Sequence, residues 1–387
     1  MHLKTRNVNT ALQALVELFA NGPVESHQST NYPTVRRTTS RNGRVLVIDE
    51  PVTVTYTHPR ERVLFNAVRD ANPFFHVVEA LWMLAGRNDV ALPAYYVKRM
   101  AEFSDDGRTL NGAYGYRWRQ HQTDIYDDTK GPDPLEVDQL NILVNHLKAN
   151  PDSRRAVLSM WNVEDDLLKI DNSKDVCCNL NVMFSLRYIG LEQMTFRETR
   201  DNPLVPIPGT IRYGTPHLDM TVTNRSNDLL WGMLGANYVH FSFLQEYMAA
   251  RLGAQVGVYH HVTNNLHVYV DRPDWKPAEL LSEHEVMHNQ YRNIEDGAEL
   301  ATVPLVQDTQ RFDAENTIFL GTHCGDERKT MGFTPSEPFL RNVAASMMRA
   351  HDLYRDGKRE AALGACETIQ ADDWRIACTE WIKRRMK

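Results

Sequence analysis

Two adjacent cysteines, Cys177 and Cys178 in the run Asp-Val-Cys-Cys-Asn-Leu, stand between two arginine-bearing motifs, Asp-Ser-Arg-Arg (152–155) and Asn-Arg-Ser-Asn-Asp (224–228). The thiolate is the reactive form of cysteine, and nearby guanidinium groups lower the thiol pKa. The same groups can hold a phosphate through paired hydrogen bonds. The pattern is what an enzyme needs for nucleophilic attack on a substrate that carries phosphate. Two cysteines alone would read as inert core residues, because the type is among the most often buried. The flanking motifs reverse that reading.

These residues need a scaffold, and composition bounds it. The chain has 387 residues, 42% of them hydrophobic and 24% charged, which is ordinary for a globular protein. That length allows two or three domains, or one large α/β unit with additions. The five cysteines (177, 178, 324, 366 and 378) form no CxxC pair and no even framework, so a reducing, cytoplasmic setting fits best. The N-terminal segment lacks the apolar core of a signal peptide. No apolar run approaches the roughly 18 residues that a membrane helix needs. A net charge of −7 gives no general reason for nucleic-acid binding, so an anionic ligand must be met by local arginine clusters.

Periodicity places the elements. Thr10–Ala20 reads as a helix with Leu12, Leu15, Val16 and Phe19 on one stripe. Arg44–Thr57 alternates and is rich in Val, Ile and Thr, which predicts one or two strands broken at Pro51. Pro73–Gly86 is a strongly apolar helix with Pro near its start and Gly past its end, and it carries Glu79 with no obvious partner. Asp133–Asn150 reads as a second amphipathic helix. Ala156–Trp161, Asn179–Tyr188 and Leu218–Thr223 read as strands, and Asn237–Gly253 as a long buried helix. The Pro- and Gly-containing stretch between Gly190 and His217 is expected to be a loop insertion. Beyond about residue 335 the pattern is helical: Phe339–Arg355, Arg359–Ile369 and Asp372–Met386 form a predicted appendage. The expected division is an N-terminal extension (1–40), a catalytic domain (41–335, with 190–217 inserted) and the C-terminal helices (336–387).

Seven short motifs in order resemble the thymidylate synthase / pyrimidine hydroxymethylase family. They are Glu-Ala-Leu-Trp-Met-Leu-Ala-Gly (79–86), Asn-Gly-Ala-Tyr-Gly-Tyr-Arg-Trp-Arg (111–119), Asp-Ser-Arg-Arg (152–155), the strand after Cys178, Arg-Ser-Asn-Asp (225–228) with Trp-Gly (231–232), Ala-Asn (236–237), and Leu-His-Val-Tyr (266–269). The resemblance runs from about residue 41 to about residue 272. It implies an α/β (α+β), three-layer fold whose mixed, twisted sheet packs into a homodimer. It also implies transfer of a one-carbon unit from 5,10-methylenetetrahydrofolate to C5 of dUMP, with no metal.

The roles that follow are those the resemblance implies. Cys178, five residues before Met183-Phe184, is the nucleophile, and Cys177 stands at the family's usual proline position. Adding sulfur to C6 makes C5 enolate-like and able to attack an electrophilic carbon. Arg225 and Ser226 bind phosphate, Arg41 sits on a mobile loop over it, and Arg154 and Arg155 reach the phosphate held by a partner subunit. Glu79 is a proton shuttle working through ordered water with Tyr114. His267 and Tyr269 alternate on one strand and hold the sugar hydroxyl. Asn237 reads the base, since a carboxamide can accept from N3–H and donate to O4 of uracil. Folate lies against Asp228, Gly232, Met100 and Phe103.

Several positions depart from the methylating pattern. Met100 and Phe103 stand where thymidylate synthases carry tryptophans, Asn179 replaces the His after the nucleophile, and Met183 replaces Gln. The short apolar closing tail is also missing. Hydride transfer needs a dry, closed and aligned site, so the departures favour water, and a 5-hydroxymethyl product. The Arg-Ser-Asn-Asp-x-x-Trp-Gly run is also more similar to phage hydroxymethylases than to cellular synthases, which implies modified phage DNA and the host cytoplasm. The alternatives are dUMP methylation, a dCMP hydroxymethylase, and a nucleotide-binding homologue without activity.

Overall fold

The computed structural model describes residues 1–21, 34–40, 42–123, 135–190, 196–199, 202–206, 214–286, 291, 300–322 and 333–386. A six-stranded mixed sheet runs in the order β1 (His2–Thr5), β4 (Val52–Tyr56), β13 (Gln255–Thr263), β11 (Thr215–Asn224), β8 (Asn179–Ile189), β7 (Val157–Ser159). The β1–β4 and β11–β13 pairs are parallel and the others antiparallel. A second sheet orders β12 (Asn227–Asp228), β14 (Leu266–Tyr269), β3 (Gly43–Ile48) and β2 (Val35–Ser40). Among the described residues two short antiparallel pairs complete the strands: β5 (His121–Thr123) with β6 (Leu135–Val137), and β9 (Phe196–Thr199) with β10 (Asn202–Pro206).

The helices are α1 (Val8–Asn21), α2 (Pro73–Leu84), α3 (Ala91–Tyr96), α4 (Tyr114–Arg119), α5 (Gln139–Ala149), α6 (Ala236–Leu252), α7 (Pro277–Val286), α8 (Phe312–Thr322), α9 (Ala345–Arg355), α10 (Arg359–Cys366) and α11 (Asp372–Arg384). Helix α6 lies on β11 and β13, and α2 packs on α6. Residues Tyr238 to Ala249 of α6 are all buried, as expected for a helix enclosed on every side. The large sheet alternates along its strands. Leu218, Met220, Val222, Val182 and Tyr259 turn inward at 0% exposure, while Met183 faces outward.

Most expected elements form, with two corrections. The predicted Asp133–Asn150 helix begins later: strand β6 precedes it, and Asp138 caps α5 by accepting from the Asn141 N–H (3.0 Å). The expected 190–217 loop carries a short antiparallel pair, β9 with β10. Helix α2 starts as its sequence indicates, with Asn72 accepting from Phe75 N–H and Pro73 in the first turn.

Helices α9 and α11 pack on α2, and α10 packs on both of them. Trp381 of α11 meets Phe74 edge-on with ring centres 5.4 Å apart, and His351 of α9 stacks on Tyr96 at 4.4 Å. Asp373 in α11 is buried and accepts from the Tyr291 hydroxyl (3.0 Å), which itself accepts from Val63 N–H (2.9 Å). Burial pushes the Asp373 carboxyl up to about 6. A carboxyl raised above its unfolded value near 3.9 adds stability below that value and loses it as pH rises through about 6. Asp373→Asn should therefore gain on the wild type as pH rises from 4 to 7.5, by about 2 kcal/mol. Urea unfolding of both proteins across that range measures the difference.

Candidate active site

The pairing of β8 with β11 builds the thiol site. Asn224 at the end of β11 faces Asn179 at the start of β8, and the register shifts between Thr223 and Asn224. The next residue on one strand and the preceding residue on the other are Arg225 and Cys178, so residues 47 apart in sequence must meet. A register shift of this kind re-aims side chains beside active sites. The Arg225 backbone N–H donates to Cys178 C=O (3.0 Å), and its Nη2 lies 3.6 Å from Cys178 Sγ. Arg225 also donates to the carbonyls of Cys177 and Val176, both at 2.9 Å. Those bonds fix the guanidinium against the loop that carries the thiol.

The two cysteines differ sharply. Cys177 is 2% exposed, its Sγ donates to Asn179 C=O (3.1 Å), and burial pushes its thiol up to about 12. Its backbone N–H donates to Asp166, which forms a fully buried ion pair with Arg117. Cys178 is half-buried beside Arg225.

Segment 225–228 leads from the thiol to a cavity of about 310 Å³. Asn227 and Asp228 form β12, which pairs in parallel with Leu266 and His267 of β14. Ser226 Oγ approaches His267 Nδ1 at 3.5 Å, and the His267 and Tyr269 rings meet edge-on at 5.3 Å. Asp228 lines the cavity and accepts from Trp231 N–H (2.6 Å), and burial raises its carboxyl. Glu79, Met100, Phe103, Tyr114, Asn237 and Tyr269 line the same cavity.

At the cavity wall the side chains of α2, α4 and α6 form one connected chain. Gly115 permits the approach, since a Cβ there would lie 2.3 Å from the Met83 backbone. Tyr114 donates to Asn237 Oδ1 (3.1 Å), and Asn237 Nδ2 donates to Asn227 Oδ1 (3.1 Å). Asn227 Nδ2 donates to His261 Nε2 (3.0 Å), and burial lowers that histidine to about 3, so it is neutral. At the other end Tyr114 contacts His240 Nδ1, and His240 Nε2 lies 2.8 Å from Glu79 Oε2, with the N–H direction off the line between them. Burial pushes the Tyr114 phenol well above its usual range, and the nearby Glu79 charge adds to this. Gly232 is required beside this chain, because a Cβ would meet Asn227 Oδ1 at 1.8 Å.

The His240 side chain lies between Glu79 and Tyr114. The sequence reading missed His240, although its spacing of three from Asn237 on a helix places both on one face. It also missed Asp175, which accepts from Gly112 N–H (2.7 Å) at the cavity edge and whose carboxyl burial raises. Arg154 and Arg155 are exposed ahead of β7 and line no part of the cavity. Arg41 lies outside the described residues.

A second cavity of about 410 Å³ adjoins the first through Phe75, Val97, Trp231, Ala236 and Arg272. Arg69 and Arg272 flank the Trp231 ring at 4.5 and 4.3 Å, and Trp381 and Arg385 close the far side. Arg69 is buried and donates to Leu230 C=O (2.8 Å). Among the described residues no cluster of His, Cys, Asp and Glu could hold a metal ion, and no helix is long and apolar enough to cross a membrane.

Known proteins share this arrangement in sequence. The thymidylate synthase family profile matches residues 60–308. The chain is 39% identical to the deoxyuridylate hydroxymethyltransferase of Pseudomonas phage M6, over 99% of this chain and 94% of that protein. It is also 39% identical to the deoxyuridylate hydroxymethyltransferase of Bacillus phage SP01, over 57% of this chain and 50% of that protein. Identity to the thymidylate synthase of Corynebacterium aurimucosum is 28%, over 51% of this chain and 60% of that protein.

Proposed function

The chain belongs to the thymidylate synthase family, and from that premise we propose that it transfers a one-carbon unit from 5,10-methylenetetrahydrofolate to C5 of dUMP, giving 5-hydroxymethyl-dUMP. The observation that carries the reading is the span of the likeness to the phage M6 hydroxymethyltransferase. It covers 99% of the chain, including the C-terminal helices beyond the family profile's end at residue 308.

Each residue has a part in this reading. Cys178 adds to C6 of the base, with Arg225 favouring the thiolate. Arg225 and Ser226 hold the 5′-phosphate, joined by Arg41, while Arg154 and Arg155 serve the other subunit of a homodimer packed through the outer face of the large sheet. His267 and Tyr269 hold the sugar, and Asn237 reads uracil. The two adjoining cavities fit an elongated co-substrate. The apolar side chains of Phe75, Met100, Phe103 and Trp231 suit its ring systems, with Asp228 on the same cavity wall and Gly232 next to Trp231 in the chain. Arg69 and Arg272 suit its glutamate carboxylates.

Folate supplies the electrophilic carbon, and the protein positions it. After the one-carbon unit is attached, the exocyclic carbon can take hydride or water. Met100 and Phe103 leave a less enclosed wall than paired tryptophans would, which favours water. Incubation with dUMP and methylenetetrahydrofolate should yield a product heavier than dUMP by a hydroxymethyl substitution, without the absorbance rise of dihydrofolate. A methyl mass shift with dihydrofolate formed one-for-one would instead make this chain a thymidylate synthase.

A further inference from the structure

The contacts around His240 require a proton that the residues themselves do not otherwise supply. The Tyr114 hydroxyl has one hydrogen, and it is donated to Asn237 Oδ1. With the Asn237 amide in that orientation, the close contact between the same hydroxyl oxygen and His240 Nδ1 needs a hydrogen on the imidazole nitrogen. A neutral imidazole with Nδ1–H has a bare Nε2. That Nε2 lies 2.8 Å from Glu79 Oε2, a separation at which two bare lone pairs repel. Both atoms are buried, with His240 2% and Glu79 5% exposed, and among the described residues neither has a well-aligned hydrogen-bond partner. One more proton must sit on Nε2 or on Oε2.

We infer that His240 and Glu79 together form a one-proton store, and that His240 is the residue through which the site gives and recovers a proton. The inference rests on the one-carbon transfer proposed above. In that reaction, opening the donor's ring puts a proton on one of its nitrogens, and the C5 proton released when the exocyclic double bond forms balances it. Breaking the bond between the one-carbon unit and the other donor nitrogen takes up the C5–H electron pair through that double bond and leaves an amine nitrogen that needs a proton. The pair gives its proton there, forming an N–H bond and leaving Glu79 ionised beside neutral His240. Water then adds to the exocyclic carbon on C5, forming a C–O bond. One water proton returns to the pair, the electrons of the exocyclic double bond pass into the C4 carbonyl, and their return forms C5=C6 as the C6–S bond to Cys178 breaks. Nothing is oxidised or reduced, and the store ends as it began. His240 and Glu79 both line the cavity, so the proton need not cross bulk water.

Other ionisable groups near His240 do not compete for this role. His76 on α2 is held well below its usual value by burial, then by Arg69 and His240. Tyr114 on α4 is pushed well above the range in which it could ionise, and Cys177 to about 12.

The test combines kinetics with a direct reading of the proton. His240→Gln should lower kcat by about 10²- to 10⁴-fold, the usual share of general acid–base catalysis, and change the shape of the pH–rate profile, with dUMP affinity within a few-fold of wild type. Glu79→Gln should do the same, and the double variant should be no slower than either single one, as for groups acting as a unit. In the wild type, ¹⁵N spectra of histidine-labelled enzyme with dUMP bound should show hydrogen on His240 Nδ1. Hydrogen on Nε2 alone would overturn the inference, even if the variants failed to fold. So would a His240→Gln enzyme with normal kcat, or one that lost rate only in step with dUMP affinity. A wild type that makes no product from dUMP would instead refute the reaction, while leaving the spectral result to stand by itself.

Discussion

Cys178→Ser should lose turnover altogether, whereas Cys177→Ser should keep most of it. The neighbouring thiols differ by environment alone. Cys177 is enclosed, and a thiol raised to about 12 is ionised in only about one molecule in 10⁵ at pH 7. Its sulfur already has a structural partner in the Asn179 carbonyl, 3.1 Å away. A serine hydroxyl can donate to the same carbonyl, so the substitution leaves no buried polar group unpaired. Cys178 stands half-exposed 3.6 Å from the Arg225 guanidinium, which stabilises a thiolate and is held by two further carbonyl contacts. A serine at 178 offers a hydroxyl far too weak an acid to respond to that arginine. Steady-state rates of both variants, with mass detection of the enzyme–dUMP adduct, separate them. Full activity in Cys178→Ser with loss in Cys177→Ser would move the nucleophile by one residue.

What could be read in the sequence was local or ordered. The α2 helix announces itself through Asn72, Pro73 and an unbroken apolar run, and the strands beside Cys178 and Arg225 through alternation. The motif order then identifies the family, and with it the mixed sheet. Glu79 stood out as a carboxyl in an apolar helix, but its partner could not be read, because His240 is 161 residues away and meets it only through the packing of α6 on α2. The Asn227–His261 contact was hidden for the same reason: it joins β12 to β13, 34 residues on. The misplaced start of α5 and the missed β9–β10 pair have a different cause. Pro, Gly and polar residues signal breaks in regular structure, and short edge pairs tolerate the same residues.

Base choice depends on that hidden contact, and Asn237→Asp should move the preference from dUMP toward dCMP. In the wild type, Asn237 Oδ1 accepts from Tyr114 and Nδ2 donates to Asn227. The remaining lone pair and hydrogen of the amide can accept from N3–H and donate to O4 of uracil. An aspartate accepts from the amino group of cytosine and, once protonated, donates to N3, leaving uracil mismatched. The surrounding chain can adjust to the change. Asn227 would need to turn its amide so that Nδ2 donates to the new carboxylate and Oδ1 faces His261. His261 can then donate from Nε2, and moving its proton there breaks no other bond, because Nδ1 has no hydrogen-bond partner among the described residues. Discrimination by an unpaired buried polar group can reach about 10⁴-fold, so the ratio of kcat/KM for dUMP over dCMP should fall by orders of magnitude in the variant. Competition between the two nucleotides measures it. A wild type that prefers dCMP, or a variant whose ratio is unchanged, would place the base-reading residue elsewhere in the cavity.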